Sequence, residues 1–359
     1  YMEVRERVPS QYQMIRSLDI ENFRCFASVR AGNIRRFTIV TGENGSGKTA
    51  LLEALFVSGG GSQEICLRAG AWRGNELIIA NTLSSASSVF EDLFHKFNVG
   101  AGLKISFEDT RKNRREVQVI ADDEVVNIPV NSKLSESSLL STGLRFFWKT
   151  PDGDFEPQIE VTPKEIRVSK VVNPYPMIML NQLTFQSPIE NAQRYSDLST
   201  KNQEKTVIET LQGLFPQVED LSIQVKGNSP TLFAKVKGVD RKMPLGLVSA
   251  GIHKFLAILL AITSTPRGAV LIDEVENGLY YKLLTPMWEM LMKHCIENKC
   301  QLIVTTHSKE FLDSLAPLIA CNEQDFSLLR TEWKNGEATI SSFSGKEFAA
   351  ALKNGFEVR

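Results

Sequence analysis

Apolar residues along the chain follow two rhythms. Short continuous runs, FTIVT (37–41), GAVLID (268–273) and QLIVTT (301–306), alternate with longer stretches of helical spacing. Apolar runs of this length bounded by turn residues predict strands of a parallel sheet with both faces covered. Thr49 to about Ser58 places Leu51, Leu52, Leu55 and Phe56 on one side, predicting a helix that the glycines at 59–61 stop. MIRSLDI (14–20) reads as a further strand. Residues 76–97 carry helical spacing through Leu77, Ile78, Leu83, Val89, Phe90, Leu93, Phe94 and Phe97. From about 103 to 172 the texture becomes alternating: LKISFED, EVQVIAD, EVVNIPV and EIRVSKVV are separated by polar turns, which predicts antiparallel hairpins.

A helical stretch (189–214) and strands near 219–226 and 231–237 follow. The last third returns to strand–helix alternation: a helix over 250–264 before GAVLID, a helix over 282–298, and a helix from Ser308 after QLIVTT. Two short strands (326–331, 337–343) and a helical tail end it. The expected organisation is therefore an α/β fold in three segments. Residues 1–100 and 216–359 form the two parts of one domain, and 101–215 is an inserted β-hairpin and helical lobe. Neither an internal repeat nor a heptad array long enough for a coiled-coil arm is present.

Composition adds limits. With 359 residues, 42% hydrophobic and 23% charged, the chain is an ordinary globular one, and a net charge of −1 gives no overall attraction to nucleic acid. Cys25, Cys66, Cys295, Cys300 and Cys321 include no C-x-x-C pair, so thiols in a reducing compartment are expected. The N-terminal stretch lacks the apolar core of a signal peptide. FLAILLAI (255–262) is too short to span a bilayer, and a cytoplasmic protein without a membrane partner is expected.

The candidate chemistry begins where FTIVT ends. TGENGSGKTALLEALF (41–56) fills the pattern G-x-x-x-x-G-K-[ST] with Gly42, Gly47, Lys48 and Thr49. A glycine loop between a buried strand and a helix N-terminus turns several backbone N–H groups toward one point, where a polyphosphate binds. Gly42, Glu43, Asn44, Gly45, Ser46, Gly47, Lys48, Thr49 and Ala50 are thus the candidate nucleotide-binding residues. Lys48 would reach the terminal phosphates, and the Thr49 hydroxyl would bind Mg²⁺. A chance match on an ordinary turn would occur about once in a hundred chains of this length, given average residue usage.

The GAVLID strand delivers Asp273 and Glu274 at its carboxyl end, the edge where ligands of open α/β sheets gather. Asp273 is the candidate Mg²⁺ ligand and Glu274 the candidate base for an attacking water. An acidic pair after a strand is also a common solvated helix cap, and it is the glycine loop upstream that favours the chemical reading. Lys48 and Asp273 lie 225 residues apart (48 to 273). That gap exceeds the spacing in compact GTPases, small kinases and hexameric AAA+ motors. Asn298-Lys299 runs on into Cys300 and Gln301, so no N-K-x-D guanine-reading motif occurs there.

Ser249-Ala250-Gly251 opens an apolar helix before Asp273, and His307 ends the next strand after it. With LDIENFRCF (18–26), PLGLVSAGIHKFLAILLAI (244–262), VLIDEVENGLYY (270–281) and IVTTHS (303–308), the chain resembles the ABC ATPase superfamily. The likeness is to its soluble RecF/SMC-like branch and to the overcoming-lysogenization-defect (OLD) type; about 60–215 is covered only loosely. The resemblance implies a P-loop NTPase head, with ATP and Mg²⁺ bound between two heads joined head-to-tail as a homodimer or higher oligomer. Ser249 and Gly251 would act in trans on the γ-phosphate, His307 in cis with Lys48 and Glu274, and Glu276 and Asn277 would cross the dimer interface.

A glutamine after a strand is the expected further Mg²⁺ contact, with Gln182 the candidate and Gln186 its rival. The signature departs from the family in reading SAGIH, and Tyr280 stands where many relatives carry histidine. Only 52 residues follow His307 (307 to 359), too few for the nuclease domain of OLD-type relatives. The expected output is therefore a conformational switch acting on a separate effector such as a nuclease, in antiphage defence. The rivals are a non-hydrolysing ATP-gated scaffold and a RecF-like DNA-repair ATPase. For the last, the basic cluster Arg111, Lys112, Arg114 and Arg115 is the candidate nucleic-acid contact, although such runs are commonly solvated turns.

Overall fold

Strands Phe37–Gly42, Ala269–Ile272 and Gln301–Thr305 are buried at every position, as their unbroken apolar runs require. The computed structural model describes residues 13–62, 65–66, 90–121, 138–139, 144–161, 166–169, 173–185, 187–227 and 229–355. In it those strands are neighbours in a six-stranded sheet. Its order is Met177–Leu180, Ala269–Ile272, Gln301–Thr305, Phe37–Gly42, Phe326–Lys334, Glu337–Ser344. The first five run parallel and only the last pair is antiparallel.

Alternate residues of each strand serve two cores, because successive side chains point to opposite faces. Val270, Ile272, Leu302 and Val304 pack with the helices Ala250–Ser264, Leu284–Glu297, Lys309–Cys321 and Gly345–Lys353. Ala269, Leu271 and Ile303 pack on the other face with the helix Lys48–Gly59. That helix is itself covered by a second, antiparallel sheet. The order there is Phe26–Ala31, Ile15–Phe23, Leu103–Asp109, Arg114–Ala121, Leu144–Thr150, Gly153–Phe155.

Four features differ from the expectations. The Lys48–Gly59 helix is buried nearly all round rather than on one side, because sheets lie on both sides of it. Its Glu53 is 1% exposed, and Arg24 neutralises it at 3.2 Å. The spacing read over 76–97 falls outside the described residues up to 89. From 90 the chain makes three single 3₁₀ turns, Glu91–Leu93, His95–Phe97 and Val99–Ala101, broken where Lys96 and Phe97 take positive φ. The stretch 189–214 is two helices, Pro188–Ser199 and Glu204–Leu214.

The fourth concerns the expected lobe. Leu103–Asp109 pairs with Ile15–Phe23, and Met177–Leu180 is the edge of the parallel sheet, so neither sheet is built from one expected segment alone. Ser308 caps the Lys309–Cys321 helix by accepting from the Phe311 N–H. All five cysteines are free thiols. Among the described residues no helix is long and apolar enough to cross a membrane.

Candidate functional site

The glycine loop connects the strand Phe37–Gly42 to the helix Lys48–Gly59, and glycine is required at two of its positions by contact as well as by φ. At Gly42 (φ 142°) a Cβ would lie 2.2 Å from the Thr331 carbonyl oxygen. At Gly47 (φ 105°) it would meet Cys25 Sγ at 2.7 Å. The neighbouring strand Phe326–Lys334 braces the loop from the side. Ser46 Oγ and Thr331 Oγ1 are 2.6 Å apart, Thr331 Oγ1 donates to the Thr41 carbonyl at 3.1 Å, and Trp333 Nε1 donates to the Gly45 carbonyl at 3.0 Å. Glu43, Asn44 and Gly45 at the apex are exposed, whereas Ala50 is buried at the helix start.

Lys48 Nζ folds back over the loop, donating to the carbonyls of Gly42 (2.7 Å) and Glu43 (2.9 Å). Burial lowers its pKa, opposed by the nearby carboxylates of Asp273, Glu274 and Glu276. The next residue joins the two halves of the sequence: Thr49 Oγ1 donates to Asp273 Oδ2 at 2.9 Å. The other Asp273 oxygen accepts from Thr305 Oγ1 at 2.6 Å, and Thr305 Oγ1 in turn accepts from the Glu274 N–H at 2.8 Å. Thr305 thereby ties the adjacent strand to both acidic residues.

Glu274 is exposed and holds a left-handed backbone (φ 50°), a conformation that costs a non-glycine residue energy unless its surroundings enforce it. Asn277 Nδ2 donates to its carboxylate. Glu276 sits beside His307, accepting from the His307 N–H at 3.1 Å and lying 3.4 Å from ring Nδ1. The His307 ring is half exposed at the end of its strand.

Sequence-predicted positions thus fall into two groups. Gly42 to Ala50, Asp273, Glu274 and His307 surround the carboxyl edge of one sheet. Ser249 and Gly251 stand at the start of the Ala250–Ser264 helix, and among the described residues neither bonds to the glycine loop. Ser249 is exposed and caps no backbone N–H, while a Cβ on Gly251 would lie 3.3 Å from the Gly278 carbonyl oxygen. Gln182 begins the short helix Gln182–Phe185, one residue beyond Met177–Leu180, whose Leu180 carbonyl accepts the Asp273 N–H at 2.8 Å. Gln186 lies outside the described residues.

Thr305, Thr331, Trp333 and Lys254 join this neighbourhood without having been singled out in the sequence. The TT before His307 was the sole available signal for Thr305. Thr331 and Trp333 gave none, because nothing local reveals which strand will lie beside the loop. The basic cluster does not form one surface strip: Arg115 is buried and donates to the Asn173 carbonyl at 2.7 Å, and Arg114 pairs with Glu116 at 3.4 Å.

The donor set suits Mg²⁺. A hydroxyl and a carboxylate oxygen 2.9 Å apart are hard ligands, and this ion keeps most of its shell for water and phosphate. Among the described residues there is no group of three or more His, Cys, Asp or Glu that could hold a metal ion.

A family model described as "AAA domain, putative AbiEii toxin, Type IV TA system" matches residues 37–313. An "ATP/GTP phosphatase" of Helicobacter pylori (strain ATCC 700392 / 26695) is 26% identical over 364 residues, covering 88% of this chain and 90% of that protein. Among solved structures, the Smc head domain with an extended coiled coil from Pyrococcus furiosus, bound to the C-terminal domain of ScpA, superposes with a TM-score of 0.51. It is 13% identical, with 95% of this chain and 99% of that one covered. A SmcHead bound to the C-winged helix domain of ScpA gives a TM-score of 0.48 at 17% identity, with 92% and 98% covered. The family match and the Pyrococcus furiosus superposition give the fold as that of an α/β P-loop NTPase, similar to SMC heads.

Proposed function

From the premise that this chain belongs to the AAA-domain family of AbiEii type, we propose that it binds ATP with Mg²⁺ and hydrolyses the β–γ phosphoanhydride. One observation carries the reading: Thr49 of the glycine loop and Asp273 of a distant strand meet at 2.9 Å with Glu274 beside them. A phosphate cradle, a hard-ion ligand pair and a candidate base then share one sheet edge. The Helicobacter pylori relative, described as an ATP/GTP phosphatase, supports the same chemistry.

In this reading the loop N–H groups and Lys48 bind the β- and γ-phosphates, for which Lys48 must leave the carbonyls of Gly42 and Glu43. Thr49 and Asp273 hold Mg²⁺, which when bound supplies positive charge to the phosphate oxygens. Gln182 is a further candidate ligand. The Glu274 carboxylate, freed from Asn277, orients the attacking water and accepts its proton. His307, steadied by Glu276, faces the γ-phosphate. Ser249 and Gly251 complete the site of a second copy in a head-to-tail dimer, consistent with the exposed start of their helix.

Hydrolysis then serves as a switch for a separate effector in antiphage defence. The toxin–antitoxin system in the family's description supports a partner protein of this kind. A residue-by-residue comparison tests the chemistry. Lys48→Ala is expected to lose ATP binding, and Glu274→Gln to bind ATP, stop turnover and accumulate as a dimer. Equal turnover in Glu274→Gln and wild type would overturn the assignment.

A further inference from the structure

Lys254 lies five residues after Ser249 on the helix Ala250–Ser264 and is only 8% exposed. Its ammonium donates to the backbone carbonyls of Glu274 (2.7 Å) and Asn277 (2.9 Å) and sits 4.6 Å from the centroid of the Phe185 ring. Among the described residues no carboxylate comes within ion-pair distance of it. A buried cation solvated by two carbonyls and an aromatic face costs stability, and an apolar side chain of similar length would pack there more favourably. Its position is therefore better explained by what it holds than by what it adds to the core.

What it holds is the turn that carries the candidate base. Each polar group of Glu274 is bonded. Its N–H donates to Thr305, its carboxylate accepts from Asn277, and its carbonyl accepts from Lys254 and from the Asn277 N–H at 3.2 Å. Asn277, which grips the carboxylate, has its own carbonyl bound to the same ammonium. The left-handed backbone of Glu274 thus persists inside a closed set of bonds, and Lys254 is the member of that set carried by the helix that starts at Ser249.

We propose that Lys254 is a positioning residue that locks the Glu274–Asn277 turn to the Ala250–Ser264 helix, so that movement at Ser249 reaches the Glu274 carboxylate. The inference rests on the reading of Glu274 as base and adds the device that relays to it. Contact of a second copy with Ser249 would shift the helix start. Through two hydrogen bonds the shift would reach both the carbonyl of Glu274 and the residue that restrains its carboxylate.

The test compares wild type, Lys254→Met, Lys254→Arg and Glu274→Gln. ATP affinity, turnover, melting temperature and amide hydrogen exchange over residues 274–279 are measured on the full chain. Lys254→Met is expected to melt no lower than wild type and to bind ATP within about twofold. It should exchange faster at 274–279 and turn over about 100-fold more slowly, the loss that follows from misplacing a catalytic group. Lys254→Arg keeps the donors, so slow exchange and part of the turnover are expected, and it serves if the Met variant fails to fold. Unchanged exchange and turnover in Lys254→Met would overturn the proposal, as would fast exchange in a folded Lys254→Arg. The exchange measurement does not depend on hydrolysis. If Glu274→Gln hydrolyses like wild type while Lys254→Met still loosens the turn, it is the role of Glu274 that has failed.

Discussion

At the scale of single residues, the site is a set of side chains whose partners are mostly backbone groups or hydroxyls. Thr331 exemplifies this. It is fully buried, its hydroxyl is 2.6 Å from the equally buried Ser46 hydroxyl, and it donates to the Thr41 carbonyl. Thr331→Val keeps the shape and removes the hydroxyl, leaving Ser46 buried without this partner. Stability should fall by about 1–3 kcal/mol, the cost of an unsatisfied buried polar group, and urea denaturation measures it. Lys48 is held by two carbonyls, which ATP would displace in the proposed reading, so Lys48→Ala is expected to abolish ATP binding without unfolding the protein. Equilibrium binding of a fluorescent ATP analogue checks this.

At the scale of elements, the loop is shaped by what packs beside it. Gly42→Ala would push a methyl against the backbone of the strand Phe326–Lys334 at a φ that L-residues rarely adopt. A loss of about 1–3 kcal/mol is expected from such overpacking, together with weaker ATP binding, read by melting temperature and titration. The Ala250–Ser264 helix carries its own pH signature. Burial pulls the Lys254 pKa from 10.5 down to about 8, the carboxylates of Glu276, Glu274 and Asp273 resisting it. Between those two values the unfolded chain keeps a proton that the folded chain releases, so the stability contribution of this group rises with pH across that window. Lys254→Met should lack that rise when denaturation is followed at either end of the window.

At the scale of the whole molecule, the exposed Ser249 and the absence of any bond from it to the loop, among the described residues, fit a site completed by a second copy. Mixing two inactive variants distinguishes this from action within one chain. A Ser249→Arg chain supplies an intact Lys48, and a Lys48→Ala chain an intact Ser249. Random pairing in a symmetric dimer then restores turnover to about a quarter of wild type. Turnover that stays at zero on mixing would confine Ser249 to its own chain, and a Ser249→Arg chain active by itself would place Ser249 outside the reaction.

The glycine loop, the acidic strand and the parallel sheet were legible in the residues themselves. Gly42, Gly47, Lys48, Thr49, Asp273 and Glu274 sit at strand ends whose apolar runs are short, unbroken and bounded by turns, so local chemistry and burial coincide there. Periodicity misled wherever tertiary packing overrode it. The Lys48–Gly59 helix shows an apolar side in sequence but is enclosed by two sheets, and Glu53 is buried there paired with Arg24 from the turn between strands Ile15–Phe23 and Phe26–Ala31. Residues 90–97 carry apolar helical spacing yet make separate 3₁₀ turns, Glu91–Leu93 and His95–Phe97. The neighbours that shape the site came from the fold alone. Thr331 and Trp333 reach the loop because strand Phe326–Lys334 pairs with Phe37–Gly42, and Lys254 reaches Glu274 across a helix–loop contact. Sequence determines which residues can perform the chemistry. Which carbonyl, hydroxyl or ammonium stands beside each is decided by long-range strand order and helix docking, which no local pattern encodes.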